Sequence, residues 1–257
     1  MRPLSATELL ALWDAGQTRH PIDRALLALA LAMPEEAPDE LADRPVGWRE
    51  VNLLALRNAT FGSALEGYAP CPSCGSLMEF SLDGAVLLGE LPAPPREACI
   101  QFEGRQWRLP SSRDQAMILD APDAETAVRK LLDCCRIDET TAQDGIATPQ
   151  GHFLRGAVDS EKSPKIMTSP TLIGELESRM EALDPAANIR LGMQCSDCAH
   201  IWDAVLDVGT CSWDELGTRA RQLLESVHRL ASAYGWREAD ILALSPARRT
   251  AYLNMIG

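Results

Sequence analysis

The stretch Cys71-Pro72-Ser73-Cys74-Gly75-Ser76-Leu77-Met78-Glu79-Phe80-Ser81-Leu82-Asp83 decides the fold, because the chain contains it twice. It aligns without gaps on Cys195-Ser196-Asp197-Cys198-Ala199-His200-Ile201-Trp202-Asp203-Ala204-Val205-Leu206-Asp207, at a constant offset of 124 residues. Each copy reads as a Cys-x-x-Cys knuckle, a strand and a Leu-Asp pair. Thiolates at i and i+3 in a tight turn supply two of the four tetrahedral positions that zinc favours. Two such knuckles facing one another make a closed four-cysteine site, so one structural zinc ion held by Cys71, Cys74, Cys195 and Cys198 is expected. The 120 residues between the pairs far exceed what a compact ribbon needs. Residues 98–183 therefore read as an insertion, a hairpin plus helices, carried by the ribbon.

Other uses of these cysteines fit less well. A redox dithiol sits in a βαβ context, and neither pair has one. A catalytic zinc keeps a position open for water, whereas four cysteines close the shell. The deaminase pattern needs His-x-Glu ahead of Pro-Cys-x-x-Cys; Pro70-Cys71-x-x-Cys74 matches the second half, but His20 is followed by Pro21 and Ile22. His200 lies only two residues past Cys198, tight for the same ion, and reads as a surface histidine or one that orients the ligands.

Working outward, the first 69 residues carry helical signals. Ser5-Ala6-Thr7-Glu8 is a capping box ahead of Leu9, Leu10, Leu12 and Trp13. Pro21 opens a second helix with Ile22, Ala25, Leu26, Leu29 and Met33 at helical spacing. Residues 34–45 are acidic and Pro-rich and read as a loop, and a third helix is expected from about Gly47 to Ala59. Inside the insertion, Cys99 to Leu109 alternates and turns at Glu103-Gly104, a hairpin. Ser112-x-x-Gln115 is expected to cap a helix, and another covers about Asp123 to Arg136. Residues 138–169 read as a loop, and 171–183 as helix. After the strand at 201–208, Leu216, Ala220, Leu223, Val227, Leu230 and Tyr234 recur at helical spacing up to Gly235. A short helix at 238–244 and a last one opened by Ser245-Pro246 complete the chain. The fold class expected is α+β, mostly α, with a helical N-terminal region (1–69), a zinc ribbon with its insertion (70–210) and a C-terminal helical domain (211–257).

Composition narrows the function. The chain has 257 residues and a formal net charge of −13, from 37 acidic and 24 basic residues. That balance disfavours broad contact with a phosphate backbone, so nucleic acid is not an expected partner. The best apolar stretch, 25–33, is far short of a membrane span, and the N-terminus lacks the pattern of a secretory signal. A cytoplasmic protein with reduced thiols is expected, with incorporation into a larger particle left open. Cys99 and Cys211 read as small core residues. The side chains of Cys134 and Cys135 diverge on their helix, so at least one belongs to the core. The chain has no Gly-x-Gly-x-x-Gly, P-loop or Gly-x-Ser-x-Gly motif, and no catalytic residues are assigned.

The C-terminal residues are more specific. His228-Arg229-Leu230-Ala231-Ser232-Ala233-Tyr234-Gly235-Trp236, then Ile241-Leu242-Ala243-Leu244-Ser245-Pro246-Ala247-Arg248-Arg249, then Tyr252-Leu253, resemble a signature of baseplate proteins from contractile phage tails and extracellular contractile injection systems. The T-even-phage-type baseplate hub assembly chaperone family is the nearest name. Leu56-Arg57, Phe61-Gly62, Arg108-Leu109-Pro110 with Asp114, Asp184-Pro185, Trp202 and Trp213 look similar to longer members of injection-system clusters. The resemblance implies a non-catalytic structural or chaperone-like assembly role, with other baseplate or tail proteins as partners. The alternative is a nucleic-acid-associated zinc-ribbon or helix-turn-helix protein. Tyr234, Trp236, Ile241, Leu244 and Tyr252 fall at the junctions of the last three helices. They read either as the core of a small bundle or, with Arg248 and Arg249, as a surface that docks a partner.

Overall fold

The computed structural model describes residues 1–92, 98–137 and 169–256. The loop expected at 138–169 lies almost wholly outside these residues. Among them the chain is α+β and mostly helical. The N-terminal helices are α1 (Ala6–Gly16), α2 (Pro21–Ala32), α3 (Pro38–Asp43) and α4 (Val46–Phe61). The Ser5–Glu8 capping box forms, with Glu8 also paired to Arg2 at 2.6 Å. Helix α3 interrupts what the sequence presented as a loop: Pro38 occupies its first turn, and Leu41 is fully buried, which anchors a segment of weak propensity.

Two antiparallel hairpins follow the same plan. Strands β1 (Ala64–Pro70) and β2 (Leu77–Asp83) pair from Ala64↔Asp83 to Pro70↔Leu77. Strands β6 (Arg190–Gln194) and β7 (Ile201–Val205) pair from Arg190↔Val205 to Gln194↔Ile201. Residues 64–69, counted with the helical region from sequence, thus belong to a strand. The run Ala-Leu-Glu-Gly-Tyr-Ala has little β-propensity of its own, and its ladder with β2 supplies the order. The internal repeat also reaches further than Leu-Asp. Asp83 caps α5 (Gly84–Glu90) and Asp207 caps the long α9 (Val208–Tyr234), each through a carboxylate that accepts a backbone N–H of the first turn. Strand β7 therefore ends at Val205, before the expected 208.

Between the hairpins stand β3 (Cys99–Phe102), β4 (Arg105–Arg108), α6 (Ser112–Met117), α7 (Ala124–Cys135), β5 (Arg136–Ile137) and α8 (Pro170–Leu183). The hairpin turns where expected, with Glu103 and Gly104 at φ 50 and 70. The cap of α6 sits one residue earlier than the sequence suggested. Ser111 and Asp114 exchange side-chain and backbone hydrogen bonds, while Gln115 and Ser112 both accept from Arg49 on α4. Asp114 wins because Arg108 pairs with it through both guanidinium nitrogens, at 2.5 and 2.8 Å. Cys99 is exposed, not a core residue, since strand alternation turns Ile100 and Phe102 inward instead. Cys135 is fully buried and Cys134 partly so, while Cys211 is partly buried against the first core.

Three apolar clusters hold these parts. One joins α2, α3 and α4 to Leu65, Ile189, Leu206 and Val208 at the roots of both hairpins. A second belongs to the segment between them, with Phe102, Trp107, Leu132, Leu176 and Met180. A third packs Leu9, Leu10 and Leu12 of α1 against Leu216, Ala220 and Leu223 of α9, and takes in Leu242 of α10 (Glu238–Leu242). The last helix is α11 (Pro246–Asn254). Polar links tie the middle segment to the N-terminal helices. Asp184 accepts the Gly47 N–H at 2.9 Å and so caps α4, whose own N-cap residue, Pro45, has no side-chain acceptor. A Cβ at Gly47 would fall 1.8 Å from Asp184 Oδ1, so only glycine admits this contact. No helix of the described residues is long and apolar enough to cross a membrane.

Candidate metal centre

The two hairpins end in knuckles that obey one set of hydrogen bonds. Cys71 N–H donates to the Ser76 carbonyl and Gly75 N–H to the Cys71 carbonyl, both at 2.9 Å. At the same offset of 124, Cys195 N–H donates to the His200 carbonyl at 2.9 Å and Ala199 N–H to the Cys195 carbonyl at 3.0 Å. Gly75 and Ala199 both have positive φ, 77 and 58. Glycine reaches this region freely, whereas alanine meets its own Cβ there. Ala199→Gly is therefore expected to stabilise the protein by about 0.5–1 kcal/mol, and Gly75→Ala to destabilise it by about 1 kcal/mol. Denaturant midpoints would check both, and equal signs for the two changes would contradict this account.

The knuckles bring all four expected ligands together. The Sγ atoms of Cys71, Cys74, Cys195 and Cys198 all lie within 4.8 Å of one another. Across the two knuckles, Cys71 and Cys198 approach to 3.7 Å and Cys74 and Cys195 to 3.6 Å. A tetrahedron with metal–sulfur bonds of about 2.3 Å has edges of about 3.8 Å, so the donor set fits a metal ion. The first cysteine of each knuckle is buried at 2% exposure, and the second is exposed. The ion would thus sit at the surface end of both hairpins, held from beneath by Cys71 and Cys195.

Electrostatics points the same way. Hydrogen bonds from the Ser76 hydroxyl and backbone, then from the neighbouring thiols, pull the Cys74 thiol down to about 6. The His200 backbone N–H draws Cys198 downward, but burial and the other three sulfurs outweigh it and push that thiol up to about 11. A cation is what allows all four sulfurs to carry charge together. His200 is not among the four ligating groups; it is exposed and stacks on Trp202, with ring centres 6.1 Å apart.

At the C-terminus the residues of the expected cluster differ in burial. Tyr234, Trp236 and Tyr252 do meet: Tyr234 stacks on Trp236 at 4.8 Å, and Tyr252 lies edge-on to both, at 5.9 and 4.9 Å. All three keep part of their surface in solvent. Ile241 is fully buried, Leu244 half-buried and Arg248 exposed. Arg249 does not share the exposure of Arg248 expected of a partner-facing pair, because the turn of α11 that exposes Arg248 directs Arg249 inward, to 6% exposure. Its Nη1 has no hydrogen-bond partner, which no sequence signal announced. No protein-family model, no curated protein and no solved structure matches this chain.

Proposed function

We propose that this chain is a non-catalytic structural or assembly protein of a contractile-tail or injection-system baseplate, holding one structural zinc ion and acting through contacts with other proteins. The observation that carries this reading is the partly exposed stack of Tyr234, Trp236 and Tyr252, formed by residues of the C-terminal signature itself. Aromatic side chains held rigid by one another and left half in solvent are the usual anchors of protein interfaces. The four-thiol cluster supports the same class of function. Filled by a metal it has no position left for substrate or water, and zinc is the ion that an all-thiolate tetrahedral site in the reducing cytoplasm suits best.

The test is the composition of native particles and their assembly intermediates, purified by affinity tag and read by mass spectrometry for this chain. The expected result is its presence in one or both, and its loss when Trp236 is changed to Ala. Absence of the chain from particles and intermediates alike would overturn the proposal.

A further inference from the structure

Arg249 sits in a cleft between α9 and α11 that also has Arg219, Gln222, Ser226, Thr250 and Leu253 on its walls. The cavity volume is about 80 Å³, room for a carboxylate head group but not for a large ligand. Arg249 is more than nine-tenths buried, and its Nη1 is without a hydrogen-bond partner. Neither Arg249 nor Arg219 forms an ion pair among the described residues; Arg219 hydrogen-bonds the Gln222 amide oxygen, at 3.2 Å. Burial, and then the charge of Arg219, hold the Arg249 guanidinium below its ordinary range. Two like charges facing one cleft, one of them desolvated, are costly unless an anion joins them. In a chain whose net charge is −13, a pair of arginines without ion-pair partners is conspicuous.

We propose that this cleft receives a carboxylate from an acidic segment of a partner protein, gripped by Arg249 from below and Arg219 from the rim. The proposal rests on the protein-contact function above and names the chemistry of one contact. Guanidinium and carboxylate match as a two-point pair, and the Thr250 hydroxyl can complete the shell. Leu253 gives the aliphatic part of a Glu or Asp side chain an apolar wall. A nucleic-acid backbone is the poorer occupant, since it needs a broad basic surface and the chain carries a net charge of −13.

The probe is glutarate, titrated into the full chain while the guanidinium Nε–H signals are followed by NMR, with inorganic phosphate as the rival anion. Saturable shifts at Arg249 and Arg219 are expected with glutarate, and weaker ones with phosphate. Arg249→Met and Arg219→Ala should each weaken glutarate about tenfold, the loss of one charge-assisted hydrogen-bonded partner. Arg249→Met should also leave thermal stability unchanged or raised, because it removes an unpaired buried charge. No saturable shift, tighter binding of phosphate, or unchanged affinity in both variants would overturn the proposal. So would a marked loss of stability in Arg249→Met with glutarate binding unaltered in Arg219→Ala. Failure here leaves the assembly role to the particle analysis, whereas a particle without this chain leaves the carboxylate site standing if glutarate saturates it.

Discussion

Stripping the metal from the four-cysteine cluster, or changing Cys195 to Ser, is expected to unfold the ribbon and take much of the protein's stability with it. Each hairpin is only two-stranded, and two-stranded sheets are marginal on their own in water. No strand of one hairpin pairs with a strand of the other. What joins their tips is the cluster itself, together with contacts of the Ser196 N–H and hydroxyl on Met78 Sδ, at 3.4 and 3.6 Å. A structural zinc can supply on the order of 10 kcal/mol to folding, comparable to the whole stability of an ordinary domain. Cys195 is buried, so its replacement removes a ligand and leaves a hydroxyl beneath three thiols. Elemental analysis of native protein is expected to return one zinc per chain, and the thermal unfolding midpoint in the presence of a strong chelator should fall by more than about 10 °C. Native protein free of metal, or a Cys195→Ser variant within about 1 kcal/mol of wild type, would contradict the zinc assignment. Iron in place of zinc would keep the site and change its ion.

The cluster was legible because its signal is local and periodic: two cysteines at i and i+3, twice, in front of the same Leu-Asp pattern. Geometry then added what spacing could not, that the repeat extends backwards into β1 and β6 and forwards into the Asp83 and Asp207 helix caps. Strand β1 leaves little trace in the sequence because Ala64, Glu66 and Gly67 carry no β-propensity, and the strand exists by virtue of pairing with residues 77–83. The one-residue offset of the α6 cap has a related cause. Ser111 and Ser112 are equivalent cap candidates in sequence, and the choice falls to Arg108 and Arg49, one of them 63 residues away from its serine. Long-range polar pairing of this kind leaves no periodic trace. The same holds for Arg249: the pair Arg248-Arg249 reads as surface charge until the face of α11 that meets α9 is known.

Arg57 is the other long-range residue on which the structure depends, and Arg57→Met is expected to cost about 3 kcal/mol. Its side chain is almost fully buried near the C-terminal end of α4. Nε and Nη2 grip both carboxylate oxygens of Glu215 on α9, at 2.8 and 2.5 Å. Nη1 donates to the carbonyl of Gly62 at 2.7 Å and to Asn58 Oδ1 at 3.2 Å, and Nη2 also reaches the carbonyl of Ala64. One guanidinium thus closes α4, sets the start of β1 and ties both to α9. Methionine fills similar volume but leaves the two carbonyls and the Glu215 carboxylate without their donor, each a desolvated acceptor. The Glu215 side chain is about one-third exposed and can turn toward water, which keeps the loss near the low end for a broken buried pair. Glu215→Gln should therefore cost less, about 1 kcal/mol, since it keeps one acceptor for Arg57. A double-mutant cycle measured by denaturant unfolding would test the scheme. The combination Arg57→Met with Glu215→Leu is expected to be more stable than Arg57→Met alone, because the orphaned carboxylate is gone. If Arg57→Met costs under about 1 kcal/mol, or if the second change deepens the loss, the guanidinium is not the link between α4, β1 and α9 that its contacts describe.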